Sequence, residues 1–336
     1  MSELRGQQPI PTPHSPARTS PRLPSPAIVM EWENALVYGA NRAERGLSEL
    51  VRQLRQCADA MDEPPELVIA FDPTRVTQEV ISRSLSASIG PSDWPMRVTF
   101  HPLTPGAGYA AYHNEGFRRA CRDIVVFFDS DVIPEPGWLE QMLLPFLNDR
   151  IGVVAGNTYV DPQGVYARAC ALFWIFPPRC RDSGLRPTNY FFLNNVAFRR
   201  DIFSRFPFPE GGYFRGRAYK HAREIWRAGI PVVQQMAARA AHPPPVGVRY
   251  FVIYALCRGD DFALLEREGF QPPLAAFANN LRTVVTRITG RRRELDADWG
   301  SVAVSVALAV TYCSLLLIGH LIGRARPKLV QRNFPI

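Results

Sequence analysis

The chain has 336 residues, 46% of them hydrophobic, and carries 39 basic against 31 acidic side chains for a net charge of +8. That length holds one large α/β domain with appendages, and the positive balance favours anionic partners such as nucleotide diphosphates or acidic lipid. The arginines are scattered without an RNA-binding signature, which argues against nucleic acid, and six cysteines with no C-x-x-C pair or zinc spacing suit a reducing cytosol.

Residues 1–26 contain seven prolines mixed with Ser, Thr and Arg, a composition that cannot bury a core and predicts a disordered basic tail. No apolar h-region of a signal peptide is visible there. A first strand is expected over Ala27–Met30, followed by Glu31-Trp32-Glu33-Asn34, whose acids suit either helix capping or ligand contact. Arg42–Cys57 places Leu47, Leu50, Val51 and Leu54 at helical spacing. Glu66–Phe71 reads as a second strand ending in Asp72-Pro73, a place where an acid also forms turns. A helix over Val76–Ser88 and a short strand over Met96–Phe100 follow. Gly106–Gly116 is a glycine-containing helix start with Gly108, Asn114 and Gly116, and glycine permits close backbone approach to a ligand.

Ile124–Phe128 is an unbroken β-branched and aromatic run, the pattern of a strand buried on both faces. It stops at Asp129-Ser130-Asp131, and open α/β sheets bind ligands beyond the carboxyl ends of their strands. An extended chain points both acids to one side, where one hard cation touches both; an isolated Asp-x-Asp equally makes a solvated turn. Pro134 and Pro136 close the strand and Trp138–Leu144 begins a helix. Beyond it come a strand over Ile151–Val160, an apolar stretch Tyr166–Phe176, the segment Asn194–Arg200, and Val232–Ala241 running into His242. Arg199 and Arg200 suit a solvated helix start, and a lone histidine such as His242 is ordinarily packed.

The string FFDSDVIPEPGWLEQML, Phe127–Leu143, resembles the D-x-D segment of family 2 glycosyltransferases. The resemblance runs over roughly residues 27–245 and implies a GT-A fold, a Rossmann-like α/β mixed sheet flanked by helices. It implies a nucleotide-sugar donor and Mg²⁺ or Mn²⁺ on Asp129 and Asp131, with Asp131 the more direct ligand and His242 a further one. It also implies donor contacts from Glu31, Glu33, Asn34, Asp72, Gly108, Asn114 and Gly116, and acceptor-side places for Asn194, Asn195 and Arg199. The family's Glu-Asp pair is missing: counting back from Gly229 puts Arg217-Ala218 in its place. Glu210 is the nearest upstream acid and the expected base of an inverting displacement, which needs a carboxylate at the acceptor hydroxyl. The alternative is an inactive GT-A-like protein that binds a nucleotide-sugar or a partner at a membrane. A nucleotidyltransferase would need a glycine-rich basic loop after the first strand, which Glu31–Arg42 does not resemble.

Ser301–Gly323 contains no Asp, Glu, Lys or Arg and, at about 1.5 Å per residue, spans roughly 34 Å, so a transmembrane helix is expected. Residues 246–300 read as membrane-proximal helices. Leu274, Phe277, Leu281, Val284 and Ile288 recur at helical spacing among Arg282, Arg287 and Arg291–Arg293, as on acidic lipid, and Phe251–Cys257 is a shorter apolar run. Basic residues flank both ends of the long helix, including the short tail 324–336, so charge sets no orientation. Nucleotide-sugars are cytosolic, so the domain is expected on the cytosolic side of the cytoplasmic membrane, with a lipid, glycan or small-molecule acceptor.

Overall fold

The computed structural model describes residues 22–89, 96–210, 217–269, 272, 274–327 and 329–330. Most of the expected tail lies outside the described residues, but its last part does not: Leu23 is buried and bridges to Met61, and Arg22 bonds Asp62.

Among the described residues nine strands form one sheet. In its first half β1 (Pro26–Glu31), β2 (Glu66–Phe71), β3 (Arg97–Pro102) and β4 (Ile124–Phe128) are parallel in the order β3-β2-β1-β4. Every residue of β1, β2 and β4 is buried, as continuous apolar runs covered on both faces require. One face is covered by α1 (Glu33–Tyr38), α2 (Ala40–Cys57) and α3 (Gln78–Ile89), with α2 turning Leu47, Leu50, Val51 and Leu54 into the core. On the other face lies α4 (Tyr109–Arg119), which approaches β1 very closely. A Cβ on Gly116 would stand 2.3 Å from Val29 Cγ1. Gly116 therefore lets helix and strand meet, and its expected role in donor approach is corrected.

The second half begins with β5 (Ile133–Pro134) and α5 (Trp138–Leu143), then β6 (Val153–Val160), α6 (Gly164–Phe173) and β7 (Leu185–Pro187). It continues with β8 (Asn195–Arg199), α7 (Arg200–Arg205), α8 (Arg217–Arg227) and β9 (Val232–His242). Strand β8 runs antiparallel to β4, pairing Phe128 with Asn195 and Ile124 with Arg199. The carboxyl end of β4 thus meets the start of β8, while Arg199 sits at the opposite edge. There it donates to the carbonyls of Phe146, Asn148 and Ile151. Its expected acceptor-side place is corrected by strand direction. Strand β9 runs parallel to β6 and brings His242 level with Val160.

Three helices follow: α9 (Gly247–Arg267), α10 (Ala275–Glu294) and α11 (Trp299–Ala325). The apolar run Phe251–Cys257 belongs to the 21-residue α9, which packs against α11. A Cβ on Gly319 would fall 2.1 Å from Leu256 O, so the two helices touch backbone to backbone. Arg287 and Arg291 of α10 turn inward and cap α6. Arg291 bonds the carbonyls of Ala171, Trp174 and Phe176, and Arg287 bonds those of Phe173 and Trp174, satisfying groups a helix end leaves open. Helix α11 is long and apolar enough to cross a membrane, and its outer side exposes Val306, Val310, Ile318 and Leu321.

Candidate functional site

At the end of β4 the chain turns instead of staying extended, because Val132 N donates to Asp129 O at 3.2 Å. The alternation that would align two carboxylates holds only in extended backbone, so Asp129 and Asp131 part company. Both are 1% exposed. Asp129 accepts the Tyr109 hydroxyl at 2.8 and 2.6 Å and Asn34 Nδ2 at 3.2 Å, and His113 Nε2 stands 3.3 Å from it. Asp131 meets β9, where His242 Nε2 lies 3.4 Å from its Oδ2. Of the two acids expected to share a cation, Asp131 is the one beside His242, and Asp129 is bonded by Tyr109 and Asn34. Arg42 fixes this pairing by donating to Asp131 O at 2.5 Å and to Ala241 O at 2.9 Å.

Tyr109 and His113 stand one turn apart on α4, their rings 4.7 Å apart edge to face. Reading the chain had singled out Gly108, Asn114 and Gly116 on this helix and passed over both. The available signal was a tyrosine and a histidine at i,i+4 spacing directly after a glycine at the helix start. Gly108 is the residue preceding α4.

Beneath the acids lies Glu31, fully buried. Its carboxylate accepts from Asn34 N at 2.9 Å and from Ser130 N and Oγ at 3.3 and 3.4 Å. Ser130 Oγ in turn accepts from Ala35 N at 2.9 Å. Burial first, then Asp129 and Asp131, hold Glu31 well above the usual carboxylate range. A carboxyl with no exposed surface cannot reach a base or ribose, so the expected donor contact of Glu31 is corrected: it ties α1 to the acidic turn. Glu33 pairs with Arg75. Asp72 accepts from Thr74 N and Oγ1 at 2.8 and 2.7 Å and from Gly106 N at 3.1 Å. Those bonds, the Thr74 hydroxyl foremost, lower its pKa. It thereby pins the loop that leads into Gly108.

Asn114 turns away from the acids. Its amide donates to Phe208 O at 2.9 Å and Glu210 at 2.7 Å and accepts from Phe208 N at 3.1 Å. It anchors the 208–210 segment, which corrects its expected donor contact. Glu210 is exposed and held against α4 by Asn114. Asn195 is fully buried, accepting from Trp138 Nε1 at 2.9 Å and donating to Ala238 O at 3.4 Å. It binds the sheet together, and its expected acceptor-side role is corrected. Asn194, bonded to Thr158 Oγ1 at 3.2 Å, does line a cleft.

That cleft opens beside His242. Tyr38, Tyr109 and His242 form its end at the acids, and Tyr250, Tyr254 and Arg258 continue it along α9. The ring of Tyr38 stands 6.1 Å from both His242 and Tyr250.

Asp131 and His242 offer one oxygen and one nitrogen donor in a buried, acidic corner. Adjacent ligands of an octahedral cation, each about 2.1 Å from it, stand about 3 Å apart, so the observed 3.4 Å needs only a small adjustment. Among the described residues no group of three His, Cys, Asp or Glu side chains converges. Asp131 and His242 would supply two donors, the manner in which Mg²⁺ is held when substrate phosphates and water complete its shell. The residues present fit such an ion.

The family model described as "Glycosyl transferase family 2" matches residues 41–206. The pre-mycofactocin glycosyltransferase of Mycobacterium tuberculosis is 37% identical over 79 residues, which are 23% of this chain and only 16% of that relative's length. Among solved structures, the mannosyltransferase PcManGT from Pyrobaculum calidifontis, in complex with GDP-Man and Mn²⁺, is similar with a TM-score of 0.57 and 16% identity. The match covers 93% of this chain and 91% of that one. GalNAc-T7 with UDP, GalNAc and Mn²⁺ is similar with a TM-score of 0.51 and 12% identity, over 86% of this chain and 58% of the other. At such identities the two structural likenesses speak to fold.

Proposed function

From a chain that carries a glycosyl transferase family 2 domain on a GT-A fold, we propose an enzyme that transfers a sugar, with inversion, from a nucleoside-diphosphate-sugar to an acceptor hydroxyl. The observation that carries this reading is the buried Asp131–His242 pair at the carboxyl ends of β4 and β9. Glu31 and Asp129 crowd the same corner with further acidic groups. A divalent cation there, Mg²⁺ or Mn²⁺, supplies the charge that neutralises a departing diphosphate.

The remaining work falls to the chain's own residues. Tyr109, Asn34 and His113 hold Asp129 in place, and Asp72 positions the Gly106–Gly108 entry to α4, where the donor's diphosphate end lies. Glu210, held by Asn114 and open to solvent, takes the proton from the acceptor hydroxyl. The acceptor occupies the cleft lined by Asn194 and the α9 tyrosines. Attachment to a membrane runs through the exposed apolar side of α11, with the domain on the cytosolic side where nucleotide-sugars are found. Support for the donor class comes from the nucleotides bound by the two similar structures, GDP-Man and UDP.

The test is release of nucleoside diphosphate from a panel of nucleotide-sugars by the detergent-solubilised full chain with Mn²⁺. Metal-dependent release from one donor, abolished by Asp131→Ala, is expected. Donor binding without release from any member would make the chain a nucleotide-sugar-binding protein instead.

A further inference from the structure

The far end of the cleft carries a positive charge, Arg258. Tyr250, Tyr254 and Arg258 occupy i, i+4 and i+8 of α9 and therefore form one stripe along the helix. Neighbouring rings mark the path: Tyr38 to Tyr250 at 6.1 Å, Tyr250 to Tyr254 at 6.0 Å, and Tyr254 to Trp174 at 4.9 Å. At about 1.5 Å rise per residue, Arg258 lies about 12 Å further along α9 than Tyr250. One terminal nitrogen of Arg258 is buried and has no hydrogen-bond partner among the described residues. Asp261 Oδ2 stands 3.6 Å away, beyond hydrogen-bonding reach, and the guanidinium rests over the Phe262 ring at 5.1 Å.

Arg287 of α10 lies near enough for the two guanidiniums to repel, and it donates to main-chain carbonyls, with no carboxylate within 4 Å among the described residues. Asp261 is the acid beside Arg258, while Asp260 lies against α11 at Gly323. Arg258 lines the cleft, its ion pair with Asp261 is long, and a guanidinium is the group best shaped to clamp carboxylate or phosphate.

We propose that the cleft takes an elongated acceptor with a flat or aromatic body, its reacting hydroxyl at the Asp131–His242 end and an anionic group, carboxylate or phosphate, held by Arg258. This rests on the reading of the cleft as the acceptor's place. The aromatic walls, with Trp174, Tyr250 and Tyr254 all lining it, accept a planar body by stacking.

The experiment is calorimetric binding to the detergent-solubilised full chain. One arm uses 4-hydroxycinnamate against its methyl ester, and a second uses 4-hydroxyphenyl phosphate against 4-methoxyphenol. The expected result is at least tenfold tighter binding of an anion than of its neutral counterpart in at least one arm. The arm that shows it separates a carboxylate from a phosphate. Arg258→Gln should erase that preference and Arg258→Lys should keep part of it, with circular dichroism confirming the fold. If Arg258→Gln does not fold, the wild-type comparison and Arg258→Lys still decide. Equal binding of anion and neutral partner in both arms, no binding of any probe, or a preference that survives Arg258→Gln overturns the proposal. Failure of the transferase reading shows separately, as no metal-dependent diphosphate release by the wild type from any donor.

Discussion

Replacing Gly116 by alanine sets two known effects against each other. In a helix interior the change should stabilise by about 1 kcal/mol through propensity alone. Here, however, the new Cβ would lie 2.3 Å from Val29 Cγ1, whereas comfortable carbon contacts begin near 3.5 Å. More than 1 Å must be recovered. Val29 is fully buried in a central strand, and its β-branched side chain has little rotamer freedom. Overpacking of this kind costs about 1–3 kcal/mol, so the net expectation for Gly116→Ala is a loss of about 0–2 kcal/mol and a Tm lowered by up to roughly 8 °C. Because α4 also carries Tyr109 and His113 against Asp129, donor turnover should fall with it. In a Val29→Ala background the clash is gone, and the same substitution should stabilise, a coupling that a double-mutant cycle measures. Thermal unfolding of the four proteins is the assay. A Gly116→Ala protein more stable than wild type would show that the close approach of α4 to β1 does not exist.

Arg199→Met should lower stability by about 1–3 kcal/mol, because the carbonyls of Phe146, Asn148 and Ile151 lose their donor. Donor and acceptor KM should not move, and a raised KM would return Arg199 to the acceptor side. His221 is fully buried, stacked on Phe198, and its pKa is lowered to about 4 by burial, against the partial support of the Phe206 carbonyl. The folded pKa lies below the unfolded one, so as pH falls from about 6.5 to 4 the unfolded chain gains a proton that the folded chain refuses. About 3 kcal/mol should disappear over that window. His221→Asn should flatten the slope between pH 4 and 7 in thermal unfolding, and an unchanged slope would assign it elsewhere.

The parallel half of the sheet was legible in the chain because β1, β2 and β4 are continuous apolar runs, each closed by an acid. What the pattern could not carry was direction and turn geometry. The apolar core of β8 fits either orientation, and its antiparallel pairing with β4 sends Arg199 to the far edge and Asn195 into the core. Asp-Ser-Asp reads as extended by continuity with β4, yet a single bond from Val132 N turns it and separates the two acids. His242 was legible as a possible ligand because it ends a late strand, and it does arrive beside Asp131. Helix α9 was legible as part of the helical region 246–300, but not its length or burial: Arg258, Asp260 and Asp261 interrupt its apolar pattern, and only packing by α10 and α11 makes charges tolerable there.

The central claim is that Asp131 and His242 together hold the cation. Electron paramagnetic resonance titration of Mn²⁺ into the full chain, with and without GDP or UDP, tests it most directly. Mn²⁺ binding strengthened by the nucleotide, and weakened at least tenfold by either Asp131→Ala or His242→Ala, is the expected result. Binding that is unaffected by His242→Ala, or that survives Asp131→Ala, would contradict the account.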